Sequence, residues 1–183
     1  MRCFISIELP DNVKSQIFNT FEKLRNSETC YGNFIREKNM QLTLKFIKKF
    51  PAEKIDLIKQ ALKEVDFRQF PVETGEVGFF PNDQNVKIIW IDLVASEFDF
   101  LREEIDRKLN KIGLNENERK FIPHLTVVRI KRIKDRQSFF NKVKEIAPRK
   151  MFFIANHFSL VKSILKRKGP EYTILNEFQM RMR

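Results

Sequence analysis

Glycine is scarce in this 183-residue chain, with only five, which excludes long flexible linkers between separate units. No stretch reaches 18 consecutive apolar residues, so no segment reads as a membrane-spanning helix. The opening MRCFISIELP lacks a basic start followed by a long apolar run, so no signal peptide is expected. Cysteine is limited to Cys3 and Cys30, which have no metal-ligand spacing and read as buried free thiols of a cytoplasmic protein. Histidine is equally rare: His124 and His157 are the only two. Acidic residues are outnumbered, 24 against 35 Lys and Arg, leaving a formal charge of +11. Such an excess draws polyanions. It gathers at Lys45-Lys48-Lys49, at Arg129-Lys131-Arg132-Lys134-Arg136 and at Lys162-Lys166-Arg167-Lys168.

What the chain does have is apolar periodicity. Alternation predicts strands over about residues 2–9, 41–47, 69–79, 85–94, 122–130, 151–164 and 172–181, with a short one near Phe34-Ile35. Helical spacing predicts helices over about 11–26, 52–65, 98–112 and 136–147, with Gly113 as the residue that closes the third. The order is βαββαβ, then βαβαββ. It predicts an α+β fold of two pseudo-symmetric α/β lobes, with largely antiparallel sheets around a central cleft.

Two segments near corresponding places in the two halves read almost alike: MQLTLKFI (40–47) and PHLTVVRI (123–130). Side chains alternate along a strand, so Gln41, Thr43 and Lys45 are expected on one face of the first, and His124 and Thr126 on one face of the second. Each face offers a polar head and a hydroxyl, the donors that a phosphate needs, and His124 adds a group able to move a proton. Arg129 has the wrong parity for a flat strand and joins that face only if the strand ends or bulges before it. A Leu-Thr step in one strand is ordinary; the pair in two half-chains is what points to a site.

These residues carry a family resemblance. FISIELP, FIREKNMQLTLKF, GEVGFFPNDQNVKIIWIDL, FIPHLTVVRIK and SLVKSILKRKGPEY, in that order, resemble five segments of the 2H phosphoesterase superfamily. Within it they are similar to the LigT-like RNA 2′,3′-cyclic phosphodiesterases, historically called 2′-5′ RNA ligases. The resemblance implies one 2H domain of two lobes over residues 1–183 and a cytoplasmic enzyme, expected as a monomer, that opens RNA-terminal cyclic phosphates, tRNA halves among them, to 2′-phosphates without metal or cofactor. It implies His124 as proton acceptor, with Thr43 and Thr126 on the phosphate; Arg129 and Lys45 are the cationic candidates beside them. The departure is Gln41, which stands where the first motif has its proton-donating His. An amide hydrogen-bonds but does not give up a proton at pH 7. The chain then reads as a weakened phosphodiesterase or as an RNA-end-binding protein that uses the same cleft. A basic protein whose motif residues are purely structural is a third reading.

Overall fold

Helices form where apolar side chains recur at three- and four-residue steps. The computed structural model describes residues 2–47, 50–114, 120–167 and 169–182; Lys48, Lys49 and Lys168 of the basic clusters lie outside them. Among the described residues, α1 (Asp11–Asn26) buries Val13, Ile17, Phe21 and Leu24, and α2 (Ile55–Lys63) buries Ile58, Ala61 and Leu62. Helix α3 (Glu97–Asn110) buries Phe98, Leu101, Ile105 and Leu109, and α4 (Arg136–Glu145) buries Phe139 and Val143. Beyond α3 the chain turns at Gly113, whose φ of +79° suits a residue without a Cβ. The Leu114 N–H then closes onto the Leu109 carbonyl at 3.1 Å.

The strands are β1 (Cys3–Glu8), β2 (Cys30–Phe34), β3 (Gln41–Ile47), β4 (Phe70–Phe80), β5 (Ile88–Val94), β6 (His124–Ile133), β7 (Phe152–Ala155), β8 (His157–Lys166) and β9 (Gly169–Gln179). They pair antiparallel in two sheets, ordered β3-β1-β8-β9 and β2-β6-β5-β4-β7. The four-strand runs β3-β1-β8-β9 and β6-β5-β4-β7 correspond, so the two lobes are pseudo-symmetric, with β2 added to one of them. The strand expected over 151–164 is in fact β7 and β8, parted at Asn156 and sent to different sheets.

The helices cross between the lobes. Helix α1 follows β1 but packs beside β2 of the other sheet, whereas α3 follows β5 and packs beside β3. Helix α4 meets β4 through Phe139 and Phe140 around Phe79. Each sheet therefore turns one face to helices and keeps the other for the cleft. Buried residues from both sheets and the helices form one continuous apolar cluster. Cys3 and Cys30 are free and buried within it, and burial pushes the Cys30 thiol up to about 11.

One expectation about faces fails. β3 contains a bulge: Ile5 pairs with Lys45 and Ser6 with Thr43, leaving Leu44 as the extra residue. Parity reverses there. Leu44 and Lys45 both turn inward, at 1% and 3% exposure, and Phe46 turns outward. Lys45 is thus on the helix side, not beside Gln41 and Thr43. Its ammonium lies 2.7 Å from the Asp106 carboxylate on α3. Lys45→Ala would leave that carboxylate without its closest cation. It should lower unfolding stability by about 2 kcal/mol, less than for a fully enclosed pair because Asp106 keeps some exposure. Urea denaturation measures this, and affinity for a phosphorylated ligand should not change with it.

Candidate active site

The second phrase contains the same bulge. Ile89 pairs with Val128 and Trp90 with Thr126, so Val127 is the extra residue of β6, matching Leu44 of β3. Val127 and Val128 both face inward, and the Val127 carbonyl accepts a 2.9 Å hydrogen bond from the Ile35 N–H. The bulge brings Arg129 onto the face of His124 and Thr126, the condition that a flat strand could not meet. Directly paired residues share a face. The open face of one lobe therefore carries Gln41, Thr43 and Phe46 beside Glu8, Ser6 and Phe4; that of the other carries His124, Thr126 and Arg129 beside Asp92, Trp90 and Ile88. β3 and β6 lie against each other where the sheets meet. Tyr172 of β9 is near enough to Arg129 to feel its charge, which opposes the upward push that burial gives the phenol.

His124 is held in a defined tautomer. Its Nδ1 lies 2.7 Å from the Ile122 carbonyl oxygen. A carbonyl only accepts, so Nδ1 carries the proton and Nε2 keeps its lone pair, as a general base requires. The ring stands edge-on to Phe80, with centroids 5.0 Å apart, and to Trp90 at 5.9 Å. Phe80 and Trp90 stack at 4.9 Å and 22°. This aromatic wall was not anticipated from the sequence. Its signal was Gly78, a glycine inside a strand, which marks close approach: a Cβ there would sit 2.2 Å from the Trp90 ring.

Gln41 is oriented from below. The buried Ser6 hydroxyl donates to its Oε1 at 2.9 Å, which orients the amide and leaves its NH2 group free to donate hydrogen bonds. No hydrogen bond within the described residues engages the hydroxyl of Thr43 or Thr126. Two buried polar atoms among the cross-strand partners, Trp90 Nε1 and Ser159 Oγ, also lack a partner there. Such groups are the kind that a ligand or ordered water satisfies. His157 begins β8, with β1 between it and β3. Two strand spacings put it roughly 10 Å from Gln41, beyond hydrogen-bond reach, and its Nδ1 is 2.7 Å from Asn156 Oδ1.

One surface depression, of about 570 Å³, is lined by Arg2, Ala52, Lys162, Ser163, Ile164 and Leu165 and contains no motif residue. Another, at Asp11, Lys14 and Arg36–Lys38, contains none either.

Fold and motif pair together define a phosphoesterase of the two-lobed kind, and the chain belongs to the LigT-like phosphoesterase family, whose model matches residues 7–90 and 92–172. Among curated relatives, the RNA 2′,3′-cyclic phosphodiesterase of Methanocaldococcus jannaschii is 27% identical over 179 residues, covering 97% of this chain and 100% of the relative. That of Archaeoglobus fulgidus is 28% identical over 181 residues, covering 98% and 100%. A solved Thermus thermophilus protein superposes with a TM-score of 0.80 at 23% identity, covering 100% of both chains. Escherichia coli LigT complexed with 3′-AMP gives 0.78 at 20% identity, covering 98% of this chain and 97% of that one.

Gly78→Ala should displace Trp90 and cost about 1–3 kcal/mol by overpacking. Trp90 is the sole tryptophan, so a red-shifted emission and a lower denaturation midpoint report the change. Asp92, the cross-strand neighbour of His124, has its carboxyl pushed up from 3.8, chiefly by burial. A raised value means that the folded state holds the proton more tightly than the unfolded chain. The associated stability is full at low pH and is lost as pH rises through the folded value. Asp92→Asn should therefore stabilise the protein at pH 7, and the gain should vanish below pH 3.8, as measured by denaturation at both pH values.

Proposed function

We propose that the chain is a metal-independent RNA 2′,3′-cyclic phosphodiesterase, one domain of two lobes over residues 1–183, that opens terminal cyclic phosphates to 2′-phosphates. The observation that carries this reading is the pair of matching bulged strands, each presenting a polar head, a threonine hydroxyl and a re-aimed side chain to the groove. The names of the archaeal relatives support the substrate, as do E. coli LigT structures with 3′-AMP and with phosphate.

In the reaction, His124 Nε2 takes a proton from water, whose oxygen forms the new bond to phosphorus. The bond from phosphorus to the 3′-oxygen breaks, and that oxygen gains a proton. Thr43 and Thr126 donate to the non-bridging oxygens, and the Arg129 guanidinium offsets the charge that accumulates on them. Lys45, held on the helix side by Asp106, takes no part. Gln41 gives the leaving oxygen a hydrogen bond but no proton, so solvent must supply it. General acid help is typically about 10²- to 10⁴-fold, or roughly 3–5 kcal/mol of barrier. The enzyme is weakened by about that much, and the step it weakens is leaving-group departure.

The RNA partner is an RNA end carrying the cyclic phosphate, with tRNA halves as candidates. We place the activity on a monomer in the cytoplasm, a compartment that suits the unpaired thiols of Cys3 and Cys30. Gln41 also favours a second reading, in which the same groove holds RNA ends without turnover. Single-turnover hydrolysis of a nucleoside 2′,3′-cyclic phosphate decides between them. Gln41→His should raise the rate by about 10²–10⁴ with little change in affinity, because donation matters in the transition state. His124→Ala should abolish the hydrolysis. No turnover in either the native protein or Gln41→His would favour the binding reading. Equal rates with altered affinity would sink the vacant-donor account.

A further inference from the structure

β2 has no counterpart in the other sheet. It lies along the outer side of β6, so the groove face of β6 continues onto it: Asn33 pairs with Arg129, and Tyr31 with Arg132. Cys30 is buried and Phe34 packs on the core, which turns Tyr31 and Asn33 outward. Both are exposed, Tyr31 at 51%. Gly32 permits the strands to lie this close, since a Cβ there would stand 2.5 Å from the Arg129 carbonyl oxygen. The register shifts between Tyr31 and Gly32, at a second bulge in β6. Ile130 and Ile133 pack on the core, and Lys131 and Arg132 between them are both exposed. Neither has an ion-pair partner among the described residues. Lys134 places its ammonium 4.6 Å from the centre of the Tyr31 ring. The result is a row of Arg129, Arg132 and a cation-backed tyrosine leading away from His124 and Thr126.

We propose that this face of β2 and β6 is a track for the ribonucleotides lying 5′ to the terminal cyclic phosphate, with Tyr31 stacking a base and Arg132 meeting a backbone phosphate. The proposal rests on the RNA-end reading above. A cationic groove with an aromatic platform is how proteins hold single-stranded nucleic acid, because every base has a π-face and every linkage a charge. Arg132 lies six residues beyond Thr126, roughly 15–20 Å at about 3.3 Å per residue. A mononucleotide with its phosphate at Thr126 does not extend that far; an oligonucleotide does. The track therefore discriminates by length.

The test compares a nucleoside 2′,3′-cyclic phosphate with an oligoribonucleotide ending in the same group, by anisotropy and single-turnover rate, in the native protein, Tyr31→Ala, Tyr31→Phe and Arg132→Ala. The native protein should bind the oligonucleotide about tenfold or more tightly than the mononucleotide. Tyr31→Ala should lose about tenfold on the oligonucleotide and nothing on the mononucleotide, and Tyr31→Phe should retain native behaviour. Arg132→Ala should reduce the slope of log affinity against log salt by about 0.7 for the oligonucleotide alone. Native affinity that is equal for the two ligands, or a Tyr31→Ala loss that is equal on both or absent, overturns the track and leaves the RNA-end reading standing. A native protein that binds neither ligand overturns both.

Discussion

Two extra residues, Leu44 and Val127, determine which side chains reach the groove. A strand without a bulge would keep strict alternation and would send Arg129 into the core beneath its sheet. The extra residue delays alternation by one step, so two consecutive side chains turn inward before the chain turns outward. That single geometric shift puts a guanidinium on the same face as an imidazole in one lobe and a phenyl ring in the corresponding place of the other. It also carries Lys45 inward, where α3 supplies Asp106 to receive it. The same bulge occurs in both lobes, with different side chains placed on it.

Around those strands, the two polar heads are secured in different ways. His124 is fixed by a backbone carbonyl and an aromatic wall, which set its tautomer and limit its tilt. Gln41 is fixed by one buried hydroxyl that occupies its oxygen. The first arrangement leaves a lone pair available; the second leaves the amide NH2 donors available. The two lobes therefore differ chemically, one offering a residue that can accept a proton and the other an amide that only hydrogen-bonds. Ser6 is placed to orient a polar group at position 41 through its hydroxyl.

Much of this was legible in the sequence, for identifiable reasons. The repeated phrase, the helix faces and the Gly113 turn follow from periodicity and backbone sterics, which are local. The misplaced face of Lys45 was not legible, because the bulge depends on the register with β1, a strand some 40 residues away along the chain. Arg129 was open for the same reason: the bulge that decides its face depends on β5. β2 was placed too late, near Phe34-Ile35, because CYGNF has a glycine and an asparagine where a strand normally has branched or aromatic residues. The division at Asn156 was hidden because two strands in different sheets follow one another with a single residue between them. The wall of Phe80 and Trp90 comes from two strands at once, and only Gly78 hinted at it.

The strand that belongs to one lobe alone has a wider meaning. Two lobes of like topology, with like side chains, would give a groove close to two-fold symmetric, in which a polymer has two orientations of nearly equal energy. His124 and Arg129 in one lobe against Gln41 and Phe46 in the other break that degeneracy, and β2 breaks it further by extending one lobe alone. A chain with chemically distinct 5′ and 3′ ends then meets a surface that is itself polar. Directionality is marked a second time by five residues at one edge of a sheet.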